Sequence, residues 1–510
     1  MFKINKKIII YSVALAAVFN TSYLSAASKN TKHTKVDFNE MLIDAPYKLI
    51  QPVLVADIIE NNAKELIVLG VDENKDKWLI TYLYNDKENE YAIANKIPIP
   101  KKFYSYDLSD DKSGLLQSLY FMSSNELVKY DATKNQFDTI SAINTIFLKD
   151  KPEHINRAHF IKDFNQDNID DVLLSDFSST HILIGQNDGK FKTQTLPIPA
   201  EVNLLSDGAT YKQAKLYFED VNFDSAIDII QVGEGEMQVY HQSKNSIFNT
   251  QSNKVEINKA ISGTEWWDKR DETGESLDQS ELVYRKLEEL RDLNSDGITD
   301  MIVRYTQVSG VLDRVNDYEI YLGTNIKGQL SYPEKPNSTI RADGTLTGLE
   351  FVDIDNDDKS EVLLAGFDIG MSQIIGALLA GSIDQDVYLF KMNDEDNYQK
   401  AQVTKEVDLN FSLSSGQSGS AVVKLADLNG DGLKDLILSD GDDELKIYLG
   451  DTSKRLFKRR AQDYDTQLPQ DGNLVYINDL NHDGKDDLLI KFSKKDENST
   501  GKNFKVLMSL

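Results

Sequence analysis

A short acidic pattern recurs along this chain, and its repetition constrains the fold more than any other feature. Residues 427–438 read DLNGDGLKDLIL, with Asp or Asn at positions 1, 3 and 5, an acid at position 9, and apolar residues from position 10. Six clear copies of this pattern begin at Asp163, Asp220, Asp292, Asp353, Asp427 and Asp479. Two weaker copies begin at Asp57 and Asp107. Self-similarity of this kind predicts a repeat architecture.

Each copy lies between short apolar segments. In the copy at Asp427, AVVKLA precedes the acidic loop, DLIL follows it, and LKIYLG comes after a further turn. Successive copies start 50 to 74 residues apart. Short apolar runs between polar turns predict strands, and a unit of this length is typical of a four-stranded propeller blade. We therefore expect each acidic loop to join the first two strands of a blade.

The acidic loops are suited to wrapping a hard cation, because alternate side chains of a short loop can point inward. An EF-hand loop carries its bidentate Glu at position 12 and continues into a helix. Here the acid stands at position 9 and strand-like residues follow, which excludes the EF-hand. The alternative is a set of acidic turns without an ion, since Asp, Asn and Gly also favour turns.

With this spacing and strand context in six copies, the chain resembles the FG-GAP/VCBS-type repeats of integrin-alpha-like β-propellers over roughly residues 40–510. The resemblance implies an all-β propeller of four-stranded blades. Eight repeats favour eight blades, and seven is the alternative because it is the better-known number for such propellers. The chain ends soon after the last loop, so we expect segment 36–50 to supply the missing fourth strand of the last blade.

By the same resemblance, each clear loop would hold one structural Ca²⁺ through the side chains at positions 1, 3, 5 and 9 and the main-chain carbonyl of position 7. About six Ca²⁺ are therefore expected. The residues concerned are Asp163, Asn165, Asp167, Ile169, Asp171, Asp220, Asn222, Asp224, Ala226, Asp228, Asp292, Asn294, Asp296, Ile298, Asp300, Asp353, Asp355, Asp357, Lys359, Glu361, Asp427, Asn429, Asp431, Leu433, Asp435, Asp479, Asn481, Asp483, Lys485 and Asp487. The weaker copies are expected not to bind tightly, because Ile59 and Leu115 stand where ligands belong.

The N-terminal segment predicts export. A Lys-containing start, the short apolar run IIIYSVALAAVF and small residues at 25–27 are typical of a signal peptide. We expect a signal peptide over 1–27, a linker over 28–36 and a single propeller domain over 37–510. The chain has no Cys, so disulfides cannot supply rigidity and bound calcium could. A periplasmic, cell-surface or secreted location is expected.

Charge and motifs restrict the function. A formal net charge of -27 argues against a nucleic-acid partner. No metalloprotease, nucleophile-elbow or P-loop motif is present. We therefore expect a non-enzymatic module that binds a protein or carbohydrate ligand. A polysaccharide lyase, with Lys269, Arg270 and His241 as available groups, is the first alternative, and a subunit of an envelope assembly is the second.

Two long intervals between repeats contain insertions, at about 258–285 and 366–386. The first carries Trp266 and Trp267, which could contact a partner or could fill space between blades. The second contains SQIIGALLAG, the most apolar segment after the N-terminus, which predicts a short helix. This helix would be either a buried plug or a docking surface.

Overall fold

Antiparallel strands flank every one of the eight repeat loops, as the sequence predicts. The computed structural model describes residues 35–146, 154–205, 208–243, 246–265, 283–308, 314–341, 345–367, 382–412, 417–418, 420–453, 455–494, 496 and 499–510. The expected signal peptide and the centres of both insertions lie outside the described residues. The residues from Val36 to Leu510 belong to one compact unit.

Eight small antiparallel sheets form a ring, which makes an eight-bladed β-propeller. The blades are numbered here in chain order. The four strands are Leu54–Ala56, Glu65–Val71, Lys77–Asn85 and Glu90–Pro98 in blade 1; Ser105–Leu108, Leu119–Met122, Glu126–Asp131 and Gln136–Ala142 in blade 2; and Ile161–Lys162, Asp171–Ser175, Thr180–Gly185 and Phe191–Leu196 in blade 3. They are Leu216–Glu219, Asp228–Val232, Glu236–Tyr240 and Asn253–Glu256 in blade 4; Val283–Arg291, Asp300–Val308, Arg314–Tyr321 and Ser338–Ile340 in blade 5; and Thr345–Val352, Glu361–Phe367, Ser382–Met392 and Tyr398–Ser412 in blade 6. They are Val423–Ala426, Asp435–Asp440, Glu444–Tyr448 and Gln462–Asp465 in blade 7, and Val475–Asn478, Asp487–Lys491, Asn503–Ser509 and Phe38–Asp44 in blade 8.

The structure also contains short strands and one 3-10 helix in addition to the four strands of each blade. Two-stranded pairs are Glu201–Leu205 with Gly208–Lys212, Gln242–Ser243 with Ile247–Phe248, and Thr324–Asn325 with Leu330–Ser331. Further short strands, Lys48–Leu49, Asn156–Arg157, Ile261–Ser262 and Gln417–Ser418, extend blades 1, 2, 5 and 6, and a 3-10 helix covers Gly472–Leu474. Among the described residues, no helix is long and apolar enough to cross a membrane.

Blade 8 combines both ends of the chain. Its fourth strand, Phe38–Asp44, pairs antiparallel with Asn503–Ser509, so that Phe38 lies opposite Ser509. The pleat of this strand alternates: Met41 and Ile43 are 9% exposed, whereas Leu42 between them is 60% exposed. This confirms the prediction that the N-terminal strand closes the last blade, because it covers the edge of Asn503–Ser509.

Burial follows strand order within a blade. The second strands are almost wholly apolar and buried, as in Glu65–Val71 with the sequence ELIVLGV. The fourth strand of the same blade, Glu90–Pro98, is mostly exposed. A strand buried on both faces reads as a continuous apolar run, and an outer strand mixes polar residues. The sequence around each loop therefore places the loop beside the best-buried strand.

The core lies between adjacent blades. At the junction of blades 8 and 1, the rings of Tyr82 and Phe504 meet edge to face with centroids 5.6 Å apart. Leu66 and Leu489 belong to the same buried cluster. Burial of this apolar surface, at about 25 cal/mol per Å² removed from water, is what holds each blade to the next.

Candidate functional site

The six clear repeat loops share one backbone path. Two residues in each loop, at positions 4 and 6, have positive φ angles between 56° and 87°. They are Gln166, Asn168, Phe223, Ser225, Ser295, Gly297, Asn356, Asp358, Gly430, Gly432, His482 and Gly484. Left-handed residues turn the chain sharply, which brings alternate side chains to the inside of a loop. Three of the six loops have Gly at position 6, where φ reaches 87° at Gly432.

Carboxylates at positions 1 and 5 hold this path. In blade 7, Asp427 accepts hydrogen bonds from the main-chain N–H groups of Asp431 at 3.1 Å and Gly432 at 2.8 Å. Asp431 in turn accepts one from the N–H of Leu433 at 2.9 Å. The same three contacts occur in the other five loops. Each loop is therefore fixed with its acidic oxygens directed inward.

The acid at position 9 ties the loop to the third strand. Asp435 is fully buried and accepts hydrogen bonds from the N–H of Leu428 at 3.1 Å and of Gly450 at 2.7 Å. Gly450 is the second residue after the third strand of blade 7, which ends at Tyr448. In blades 3, 4, 5 and 8, the acid at position 9 accepts the equivalent hydrogen bond from the N–H group of Gly185, Gln242, Gly323 and Ser509, respectively.

Close approach at this point requires glycine in three blades. A Cβ atom on Gly450 would lie 2.7 Å from Leu433 Cβ and 2.9 Å from the carbonyl oxygen of Lys434. Gly185 and Gly323 have similarly close neighbours in blades 3 and 5. Sequence reasoning missed these supporting residues. The signal was present in the Leu-Gly or Ile-Gly pair that recurs at or just after the end of the third strand, as in EIYLG, KIYLG and ILIG.

Burial shifts the pKa of the acid at position 9 in five of the six clear loops. Burial raises the pKa of Asp435 to about 7, although its hydrogen bonds to Gly450 and Leu428 oppose the shift, and the carboxylates of Asp431 and Asp427 raise it further by repulsion. Burial likewise raises to about 7 the pKa of Asp171, Asp300, Glu361 and Asp487. A cation placed among these oxygens would relieve both the burial penalty and the repulsion.

The donor set of the loops in blades 5, 7 and 8 fits a hard cation. Carboxylate oxygens at positions 1, 5 and 9, an amide oxygen at position 3 and a main-chain carbonyl are the ligand types that Ca²⁺ prefers. Among the described residues, no Lys or Arg nitrogen lies within 4.0 Å of the carboxylates at positions 1, 5 and 9 in these three loops (Asp292, Asp296, Asp300, Asp427, Asp431, Asp435, Asp479, Asp483 and Asp487).

Two other clear loops contact a basic side chain from elsewhere. In blade 3, Lys112 forms an ion pair with Asp163 at position 1. In blade 4, His241 Nδ1 lies 2.8 Å from Asp228 Oδ2 at position 9, and this hydrogen bond raises the pKa of His241. Of the three groups considered for a lyase, His241 is thus held by a loop acid, whereas Lys269 and Arg270 lie outside the described residues.

The two weaker repeats are built differently. In blade 2, Asp107 is 1% exposed and accepts hydrogen bonds from Arg157 Nε at 3.0 Å and from the N–H of Ile161 at 2.8 Å. Leu115, at position 9, is 43% exposed. In blade 1, the buried Glu65 accepts an amide hydrogen bond from Asn61 at 2.5 Å. The protein's own donors therefore satisfy the key acid in both loops.

Main-chain hydrogen bonds connect successive loops around the ring. In blades 6, 7, 8, 1 and 2, one main-chain N–H group donates a hydrogen bond to a carbonyl oxygen in the loop of the preceding blade, with N···O distances of 2.6 to 3.2 Å. The pairs, donor first, are Ser360 with Leu293, Lys434 with Ile354, Asp486 with Asp427, Lys64 with Leu480 and Gln117 with Asp57. The order of one loop is thereby linked directly to that of its neighbours.

Two clefts open beside the loops. The larger one, of about 510 Å³, lies between blade 4 and the 324–331 hairpin of blade 5. Its polar lining includes Asn222, His241, Asn253, Glu256 and Gln329. The other, of about 390 Å³, lies between blades 2 and 3 and is lined by three lysines together with the exposed Leu115 and Leu116. The partner-binding candidates Trp266 and Trp267 lie outside the described residues.

Residues 427–490 match the family described as FG-GAP-like repeat. No curated protein matches the chain. Similar solved structures include an Agrocybe aegerita protein described as specifically recognising non-reducing terminal N-acetylglucosamine, with 14% identity, 83% of this chain and 81% of that chain covered, and a TM-score of 0.37.

Two further solved structures are similar over most of their length. One is a protein from Lactobacillus plantarum, with 8% identity, 85% and 97% of the two chains covered, and a TM-score of 0.37. The other is the WD40 domain of SCAP from fission yeast, with 10% identity, 92% and 98% covered, and a TM-score of 0.36. The chain is thus an eight-bladed β-propeller, and its loops in blades 7 and 8 match the FG-GAP-like repeat.

Proposed function

We propose that this protein is an exported, calcium-stabilised propeller that binds a protein or carbohydrate ligand outside the cytoplasm. The observation that carries the calcium part is the shared geometry of the clear loops, in which a fully buried acid such as Asp435 faces two further carboxylates. In blades 5, 7 and 8, the side chains at positions 1, 3, 5 and 9 would hold the ion. Calcium supplies positive charge there, which offsets the repulsion within each loop.

Calcium removal tests this role. Calcium that binds only the folded protein stabilises it by about 2.7 kcal/mol per site at a hundredfold excess over Kd. We expect the melting temperature to fall when a chelator replaces calcium, and isothermal titration of the stripped protein to show uptake at several sites. An unchanged melting temperature together with no heat of binding would overturn the proposal.

A matched pair of variants separates binding from general charge. Asp296→Asn removes a carboxylate at position 5 of the blade 5 loop, and we expect it to lower the calcium content by one equivalent. Asp394→Asn removes an exposed acid from a turn outside the repeat loops and should leave the content unchanged. Equal losses in both variants would indicate non-specific screening of surface charge.

For the ligand, the cleft between blades 4 and 5 favours carbohydrate. Asn253, Glu256 and Gln329 are exposed side chains that offer hydrogen-bond donors and acceptors to one cavity. Ile326, which is 56% exposed, adds an apolar surface to the same wall. A few convergent polar groups beside apolar surface are what a sugar, with hydroxyls on its rim and C–H groups on its face, requires.

A glycan array probed with the calcium-loaded protein tests this ligand class. We expect binding to a defined set of glycans, reduced at least tenfold by the double variant Asn253→Ala/Gln329→Ala. Thr193→Ala, an exposed polar substitution on the fourth strand of blade 3, serves as the control. Absence of glycan binding, or an equal loss in the control, would exclude this cleft as a carbohydrate site and leave a protein ligand as the alternative.

A further inference from the structure

The loop of blade 6 already contains a cation that belongs to the protein. Lys391 Nζ lies 2.8 Å and 2.7 Å from the two carboxylate oxygens of Asp355, 2.8 Å from Asp357 Oδ2 and 3.3 Å from Glu361 Oε1. These three acids occupy positions 3, 5 and 9 of the loop. One ammonium group therefore contacts three of the four side chains that would otherwise ligate an ion.

Strand register shows that this lysine occupies a defined place in the blade. Phe390, in the third strand, pairs with Val362 at position 10 of the loop, so Lys391 is the residue after the paired one. In blade 7, Tyr448 pairs with Leu436, and the residue after it is Leu449. The same reasoning identifies the equivalent residues in the other blades with clear loops as Ile184, His241, Leu322 and Met508. Blade 6 alone among these has lysine there.

The acid content of the loop changes together with this lysine. Position 3 is Asn in the other five clear loops and Asp only in blade 6, where both carboxylate oxygens of Asp355 contact Lys391. Positions 1, 3, 5 and 9 of this loop thus carry four carboxylates, and together with the Lys391 ammonium group they have the same net charge as three carboxylates without a cation. The extra acid is paired with the built-in charge rather than added to a metal-binding set.

An ammonium group and a calcium ion cannot occupy this position together. Ca²⁺ binds carboxylate oxygens at about 2.3–2.6 Å. An ion at that distance from Asp355, Asp357 and Glu361 would coincide with the space that Lys391 Nζ fills, and two positive charges so close repel strongly at low dielectric. Three carboxylates of this loop, Asp353, Asp355 and Glu361, have oxygens within 4.8 Å of one another. These oxygens are close enough to hold a cation, and the ammonium group of Lys391 takes the place that a metal ion would need.

We propose that Lys391 is the permanent cation of the blade 6 loop and that this loop takes no calcium ion. The inference rests on the proposed function for the comparison with the other loops. It removes the blade 6 loop from the expected calcium sites and makes the order of blade 6 independent of calcium supply. Through the hydrogen bonds from Lys434 to Ile354 and from Ser360 to Leu293, blade 6 would give the loops on either side a fixed neighbour.

Reciprocal substitutions test the proposal in the full-length protein. Lys391→Leu gives blade 6 the residue of blades 5 and 7, and Leu449→Lys gives blade 7 the residue of blade 6. Bound calcium is counted by equilibrium dialysis followed by elemental analysis. We expect Lys391→Leu to gain one equivalent relative to wild type and Leu449→Lys to lose one. Lys391→Arg keeps the charge and should gain none.

Two further variants assign the equivalents to blade 6. Asp353→Asn in the wild-type background should leave the calcium content unchanged, and in the Lys391→Leu background it should remove the gained equivalent. A Lys391→Leu protein that is folded by circular dichroism but gains no calcium would overturn the proposal, as would loss of an equivalent from Asp353→Asn alone. Wild-type protein without any bound calcium would instead overturn the proposed function, and a gain in Lys391→Leu would then still support the role of Lys391.

Discussion

The main-chain N–H of Lys64 donates a hydrogen bond of 2.8 Å to the carbonyl oxygen of Leu480, and this contact joins the loop of blade 1 to the loop of blade 8. The side chain of Lys64 adds contacts of 2.7 Å to Asp111 and 3.0 Å to Asn478. The ring is therefore closed twice, once by the N-terminal strand within blade 8 and once by the loops. Closure at the loops links the calcium-binding candidates to the stability of the whole ring.

The closing strand provides a test of how much this junction contributes. Ile43 is packed in the cluster between blades 8 and 1, whereas its neighbour Leu42 points outward and is 60% exposed. We expect Ile43→Ala to lower the free energy of unfolding by about 2–5 kcal/mol, because it removes buried methyl groups and leaves a cavity. Leu42→Ala should change it by no more than about 0.5 kcal/mol. Urea unfolding followed by fluorescence measures both, and equal effects would contradict the role assigned to the strand.

We expect the glycine after the third strand to support calcium binding without being a ligand. In Gly450→Ala the new Cβ would lie 2.7 Å from Leu433 Cβ, so the loop must move away from the N–H that binds Asp435. We expect a loss of about 1–3 kcal/mol in stability, as for overpacking, and weaker binding at one calcium site.

Gly208→Ala is the matched control for this variant, because nothing lies within 4 Å of the added Cβ. Thermal melting and calorimetric calcium titration should show the Gly208→Ala protein to be equivalent to wild type. A Gly450→Ala protein with normal calcium binding would mean that the contact with Asp435 does not determine the loop geometry.

Much of this architecture follows from the sequence because its signals are local. A loop with Asp or Asn at positions 1, 3 and 5 and an acid at position 9, together with the start of the apolar strand after it, occupies twelve consecutive residues, and counting such units predicted the eight blades. The short remainder after Asp487 also predicted that the N-terminus supplies a strand, as Phe38–Asp44 does.

Long-range contacts were not predictable in this way. Lys391 reaches the acids of its loop from 30 residues beyond Glu361, and only the strand pairing shows that it corresponds to Leu449 in blade 7. Arg157 reaches Asp107 from 50 residues away, after the fourth strand of its blade. A sequence pattern identifies which residues are able to bind a cation, but it does not identify which cation the fold brings to them.

The buried acids predict an unusual pH dependence for the calcium-free protein. Asp435 has an ordinary pKa of 3.8 and a folded pKa raised by burial to about 7, so between these values the folded state holds a proton that the unfolded state has released. The contribution of Asp435 to stability is therefore fully present below pH 3.8 and is lost as the pH rises from there to about 7. We expect the melting temperature in chelator to fall over this range.

Two comparisons isolate the contribution of this group. Asp435→Asn removes one of the titrating groups, so its melting temperature in chelator should fall less steeply with pH than that of wild type. Saturating calcium keeps the carboxylates ionised and should remove or reverse the slope. Identical slopes for wild type and Asp435→Asn in chelator would show that the general negative charge of the protein, and not the buried acid, causes the effect.

Asp107 offers the opposite case, a loop acid whose partner is part of the protein. It accepts hydrogen bonds from Arg157 and from the buried N–H groups of Leu108 and Ile161, so Asp107→Ala leaves these N–H groups without an acceptor. We expect a loss of about 1–3 kcal/mol in the free energy of unfolding. Because Arg157 replaces an ion here, the loss should be the same in calcium and in chelator. Asp110→Ala, at an exposed neighbouring acid, should be nearly neutral. A loss seen only in calcium would mean that the blade 2 loop binds the ion, and that a built-in cation does not exclude it.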